Sequence, residues 1–81
     1  MSSHYKTEIE AFVINKVKER REAMNITQTQ LAVELDVSDG FIGQVESSRS
    51  RSKYNLNHLN KLAIILKCSL KDFMPDKPFN I

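Results

Sequence analysis

Residues 27–48, TQTQLAVELDVSDGFIGQVESS, decide the fold. Thr27 followed three residues later by Gln30 has the form of a capping box, so a helix is expected over TQTQLAVELD with Leu31, Ala32 and Leu35 facing inward. Val37 and Ser38 restart the chain. Ser38 is a good N-cap, because its hydroxyl can accept from an otherwise orphaned backbone N–H, and a second short helix is predicted over residues 39–48. Two helices joined by so little chain cross steeply instead of lying antiparallel. With Ile42 at the centre of the buried face, steps of about 100° per residue turn Ser38, Val45 and Glu46 inward. Gly40, Gly43, Gln44 and Ser47 then fall on the outer half.

Working outward, Thr7 and Glu10 form another capping-box pair, and Ile9, Phe12, Val13, Val17, Arg21 and Met24 recur at three- and four-residue steps. That is one face of a first helix, apolar except for Arg21. Downstream, residues 47–55 are a polar connector of Ser alternating with basic residues. Asn55 can cap a fourth helix with Leu56, Leu59, Leu62, Ala63 and Leu66 as its stripe. Ser69 and Asp72 open a last short helix through Leu70, Phe73 and Met74, which Pro75 ends. The tail DKPFNI is expected to be loose or to meet a partner. The expected architecture is all-α, with five helices in one domain spanning residues 1–81.

Composition narrows the function classes. The chain is 41% hydrophobic and 27% charged, which suits a globular protein rather than a disordered one. No apolar run is long enough for a membrane span, and the N-terminus lacks the form of a signal peptide. Cys68, the one cysteine, fits a reducing, cytoplasmic setting. The net charge is only +2, but it is unevenly spread. Residues 1–48 hold five Lys/Arg against eight Asp/Glu, whereas residues 49–81 hold seven against two. Three of those seven are Arg49, Arg51 and Lys53, a local patch suited either to phosphate contact or to plain solvation.

The runs VKERREAMNITQTQLAVELDVSDGFIGQVESS and NLNHLNKLAIILKCSLKDFM resemble the Cro/C1-type helix-turn-helix domain of the XRE family, over roughly residues 13–74. Arg21, the TQTQLA opening, the VS before the third helix, Ile42, Glu46 and the LNKLAIILKCSLKDF ending carry the resemblance together. It implies a five-helix, lambda-repressor-like domain whose helix 39–48 lies in the major groove of double-stranded DNA. It also implies a partly buried ion pair between Arg21 and Glu46, both on inward faces where a lone charge would be costly. Thr27 and Gln28 open the helix that meets a phosphate in this family, where an amide and free N–H groups suit an anion. Gln44 is the strongest candidate base reader, because its amide can pair bidentately with adenine. Asp39 could accept from cytosine but also suits the helix dipole. Ser38 and Ser47 could touch either phosphate or a base edge. Arg49, Arg51 and Lys53 are placed to flank the groove.

Two departures from the family stand out. Gly40 and Gly43 occupy groove-facing positions that are usually polar or bulky. They suggest close backbone approach, reading through DNA shape, or weak reading. The connector SSRSRSKYN is longer than usual and lacks the family's glycine at Ser48 and its proline before helix 4.

Enzyme chemistry is not expected. No paired carboxylates, metal-ligand spacing or phosphate-binding glycine loop occurs, and no cofactor is implied. His4, His58 and Cys68 read as a terminal, an exposed and a packing residue. The family usually binds as a two-fold dimer, and Ile9, Phe12, Phe73, Phe79 and Ile81 are the candidate dimer surface. The leading expectation is a transcriptional repressor. An antitoxin that recognises a toxin partner is a variant of it, and a protein-interaction module on the same scaffold is the alternative.

Overall fold

The computed structural model of the protein describes residues 4–80. Four α-helices follow in order: α1 (Glu8–Ala23), α2 (Gln28–Leu35), α3 (Phe41–Glu46) and α4 (Leu56–Ile65). The fifth helical segment, Leu70–Phe73, is a single tighter 3₁₀ turn. Among the described residues there is no strand, and no helix is long and apolar enough to cross a membrane.

Local chemistry explains most of the boundaries. Thr7, Thr27 and Ser69 each form a full capping box with Glu10, Gln30 and Asp72, and so occupy backbone donors that a helix start leaves unpaired. Asn55 does the same for α4, with the His58 ring as its reciprocal partner. Asn25, Asp36 and Lys67 adopt left-handed backbone at or just beyond the helix ends, a conformation that stops a helix from continuing. Arg20 holds the end of α4, donating from Nε to Leu66 O and from Nη2 to Lys67 O, both at 2.9 Å. A cation there also suits the negative end of the helix dipole.

The core is built where the inward faces meet. Val17 of α1, Leu31 of α2, Ile42 and Val45 of α3, Leu62 and Leu66 of the α4 end, and Phe73 are fully buried. α2 packs on α3 and α4, while α1 spans α3 and the 3₁₀ turn. Leu56 departs from the expected stripe: it lies at the first position of α4 and is 80% exposed. Phe73 belongs to the core, so it cannot serve as dimer surface. The tail is not loose along its whole length, since the Phe79 ring meets Phe12 edge-on at 5.8 Å. Ile81 lies outside the described residues.

Candidate nucleic-acid interface

The turn between α2 and α3 differs from the sequence expectation, and the reason is Gly40. Its φ of +91° is a left-handed conformation that a side chain would strain. Helix geometry therefore cannot begin at residue 39, and α3 covers only Phe41–Glu46. Gly40 is the N-cap and no side chain caps this helix, so Ser38 is not its cap. Instead the Ser38 carbonyl accepts from Phe41 N–H at 3.1 Å, closing the turn. Ser38, Asp39 and Gly40 are exposed there.

Gly43 is the single glycine within α3, and its missing side chain makes room for Gln28. A Cβ at residue 43 would sit 3.2 Å from Gln28 Oε1. Gln28 crosses at this point and donates from Nε2 to Glu46 Oε1 at 3.0 Å. The start of α2 is thus tied to the end of α3. The capping box at Thr27 occupies the Gln30 N–H. The N–H groups of Gln28 and Thr29, in the first turn, have no intrahelical acceptor.

Glu46 lies at the centre of this arrangement. Arg21 grips it with a two-pronged contact, Nε to Oε2 and Nη2 to Oε1, each at 2.9 Å. The two side chains are only 8% and 3% exposed. The third arm of Arg21, Nη1, donates to Ile26 O at 2.7 Å, which reaches the loop before α2. Hydrogen bonds to Glu46 push the guanidinium further above its ordinary value, against the opposing effect of burial. One ion pair therefore ties α1, the α1–α2 loop and α3 together.

Outside this anchor, the exposed side of α3 and the connector carry the remaining candidates. Gln44 is exposed, and its Oε1 accepts from Ser52 Oγ at 3.3 Å. Ser47 Oγ accepts from Arg49 N–H at 3.2 Å and Ser50 Oγ from Ser52 N–H at 3.1 Å. These serine turns do the bending that a glycine or proline would otherwise do. Arg49 is exposed. Arg51 lies over the Tyr5 ring at 5.3 Å and meets His4 Nε2 at 3.4 Å. Lys53 is paired with Glu10 at 3.0 Å. The site thus brings Gln28, Gly43, Glu46 and Arg21 together, and Gln44 with the connector. Lys53 turns instead toward α1.

Some contributors have no clear sequence signal. Ser52 acts through Gln44, on the preceding helix, and Lys6 through carbonyls far along the chain. Phe41, Tyr54 and His58 form a ring cluster with centroids 5.4–6.3 Å apart, joining the start of α3 to that of α4. Tyr54 Oη is buried without a hydrogen-bond partner among the described residues. Burial raises the phenol well above its ordinary value, with the Glu46 charge adding and Arg21 opposing. Because the unfolded chain ionises this phenol first, it leaves stability unchanged below about pH 10 and lowers it as pH climbs from there toward the folded value. Tyr54→Phe should therefore be at least as stable as the parent near neutrality, and should lose less stability at about pH 11. Urea midpoints at the two pH values check this; a parallel alkaline decline would contradict it.

A short helix fixed from behind, an exposed polar face, a preceding helix that opens beside it and a basic flank define a helix-turn-helix DNA-binding domain. The family comparison agrees: the helix-turn-helix family model HTH_3 matches residues 17–73. The chain belongs to this Cro/C1-type, XRE family, and is a DNA-binding regulator of transcription with duplex DNA as its partner. Among solved structures, the restriction-modification controller protein C.AhdI from Aeromonas hydrophila is similar in fold, with a TM-score of 0.68. The two share 22% identity over 83% of this chain and 97% of that one. No curated protein sequence matches significantly.

Proposed function

We propose that the protein is a repressor that binds duplex DNA as a homodimer, each copy laying α3 in the major groove. The observation that carries this reading is Gln44. It is exposed on a helix whose opposite side is held by Ile42, Val45 and the Arg21–Glu46 pair. In this reading Gln44 reads a base, while Ser38, Asp39 and Ser47 border the groove. Thr27 and Gln28, at the start of α2, meet one phosphate run; Arg49, Arg51 and, if it leaves Glu10, Lys53 meet the other. Gly40 shapes the turn and Gly43 seats Gln28, so neither glycine need be a gap in the reading surface. Exposed Ile9, Met74 and Phe79, with Phe12 beneath Phe79, are the proposed dimer face. That the similar solved structure is a controller protein supports a regulatory role.

Selection from random-sequence duplexes with the purified chain tests the proposal. An enriched palindrome is expected. Gln44→Ala should then lose about 1–3 kcal/mol of discrimination at one base pair of each half-site, roughly 5- to 150-fold in relative affinity. Salt-sensitive binding with no enriched motif would refute specific reading. Absence of binding would favour a protein-interaction module on this scaffold.

A further inference from the structure

We propose that Lys6 is a positioning residue for DNA binding: it sets the shape of the connector and so aims Arg49 and Arg51 at phosphates, without touching the duplex itself. This rests on the reading of the connector as a phosphate contact.

Lys6 precedes α1, yet its ammonium donates to the carbonyls of Ser47 and Ser50, 41 and 44 residues away. The residue is only 5% exposed. A lysine is almost never buried to that degree unless it is paired. Desolvation, with help from nearby Lys53, lowers its pKa, and Glu10 opposes the shift. The fold therefore keeps a cation where a cation is costly, which calls for a return.

The placement of its partners suggests what that return is. Ser47 directly follows the last residue of α3, in extended backbone where the chain leaves the helix. Ser50 lies in the next bend of the connector. The serine turns at Ser47–Arg49 and Ser50–Ser52 each set a local bend, and a long backbone hydrogen bond from Ser50 N–H to Ser47 O at 3.4 Å is a weak link between them. Lys6 reinforces that link, because one ammonium holds a carbonyl from each bend. Arg49 lies between the two held carbonyls and Arg51 directly follows the second. Tyr5 and His4, from the same N-terminal segment, also hold the Arg51 guanidinium. The N-terminal segment thus acts as the mould in which the phosphate-facing loop sits. It supplies the rigidity that the family's absent glycine and proline do not.

A double-mutant cycle tests the proposal. Affinity of the full chain for a mixed-sequence duplex is measured across salt concentrations for the parent, Lys6→Met, Arg49→Ala with Arg51→Ala, and all three changes together. Thermal melting and amide spectra are recorded for each. Loss of both arginine contacts should flatten the log–log salt slope by about 1.8, at about 0.9 per phosphate. Lys6→Met should remain folded, shift the amides of Ser50 and Ser52, weaken binding and flatten the slope. Added to the arginine pair, it should change neither affinity nor slope further. A further flattening of about 0.9 in that background would make Lys6 a direct phosphate contact and overturn the proposal. An equal loss of affinity in both backgrounds would make Lys6 a general stabiliser and overturn it as well. If the arginine pair alone leaves binding intact, the phosphate reading of the connector fails first, and the proposal falls with it. Should Lys6→Met unfold, Lys6→Gln, whose neutral amide can keep one carbonyl, runs the same cycle.

Discussion

Glu46→Gln is expected to lower stability by about 3–5 kcal/mol, the usual cost of removing one partner from a buried ion pair. The magnitude follows from what the change leaves behind. Arg21 would remain 8% exposed with its charge intact, while facing one oxygen and one amide group in place of two carboxylate oxygens. Gln28 Nε2 would also face a weakened acceptor, because Glu46 Oε1 is shared between Arg21 and Gln28. Since Arg21 keeps Ile26 O through Nη1, the loss should fall nearer the lower end of the range. Replacing both partners with apolar residues of similar volume should cost far less than either single change, because no buried charge is stranded. Urea midpoints for the two single variants and the double variant check the claim. A Glu46→Gln midpoint equal to the parent's would contradict it.

How far the sequence reveals this molecule depends on the range of the contacts involved. The starts of α1, α2 and the 3₁₀ turn are legible because a capping box is a local code, both halves lying within four residues. The inward residues Leu31, Ala32, Leu35, Ile42, Val45 and Glu46 are legible because helical spacing places them there, whereas Ser38, expected inward, lies ahead of α3 and is exposed. The spacing makes α3 longer than it is, for a definite physical reason. A glycine inside a helix and a glycine in a left-handed turn are the same letter, and only the structure separates Gly43 from Gly40. Leu56 fits the period of α4 but stands at its edge, where no neighbouring element covers it. Periodicity says which side a residue faces, not whether anything lies on that side.

The interface is legible in its parts more than in its assembly. Gln28, Gly43 and Glu46 each stand out alone in the sequence. That the first lies across the second to reach the third is visible only in three dimensions. The contacts of Lys6 span more than forty residues, and a side chain that holds distant carbonyls leaves no pattern of spacing to read. The alternating serines and arginines suggest a basic flank. Their division of work, with serine hydroxyls closing turns, Arg49 exposed and Arg51 lying against Tyr5 and His4, emerges only in three dimensions.

Ile42→Ala is expected to cost about 2–5 kcal/mol, and to harm DNA binding more than a core truncation of equal cost elsewhere. α3 has six residues, no side-chain cap and an internal glycine. A helix that short has negligible stability of its own in water, and Gly43 makes it about 1 kcal/mol weaker still than Ala would. Packing must therefore hold it: α3 packs on α1 and α2, and Ile42 is fully buried in the core cluster. Removing its outer carbons leaves a cavity directly behind Gln44. Leu62→Ala provides the control, because Leu62 is equally buried but belongs to the longer, capped α4. At temperatures where both variants are still folded, Ile42→Ala should show the faster amide exchange in residues 41–46 and the weaker binding to duplex DNA. Equal binding by the two variants at matched stability would mean that α3 is not the element that meets DNA.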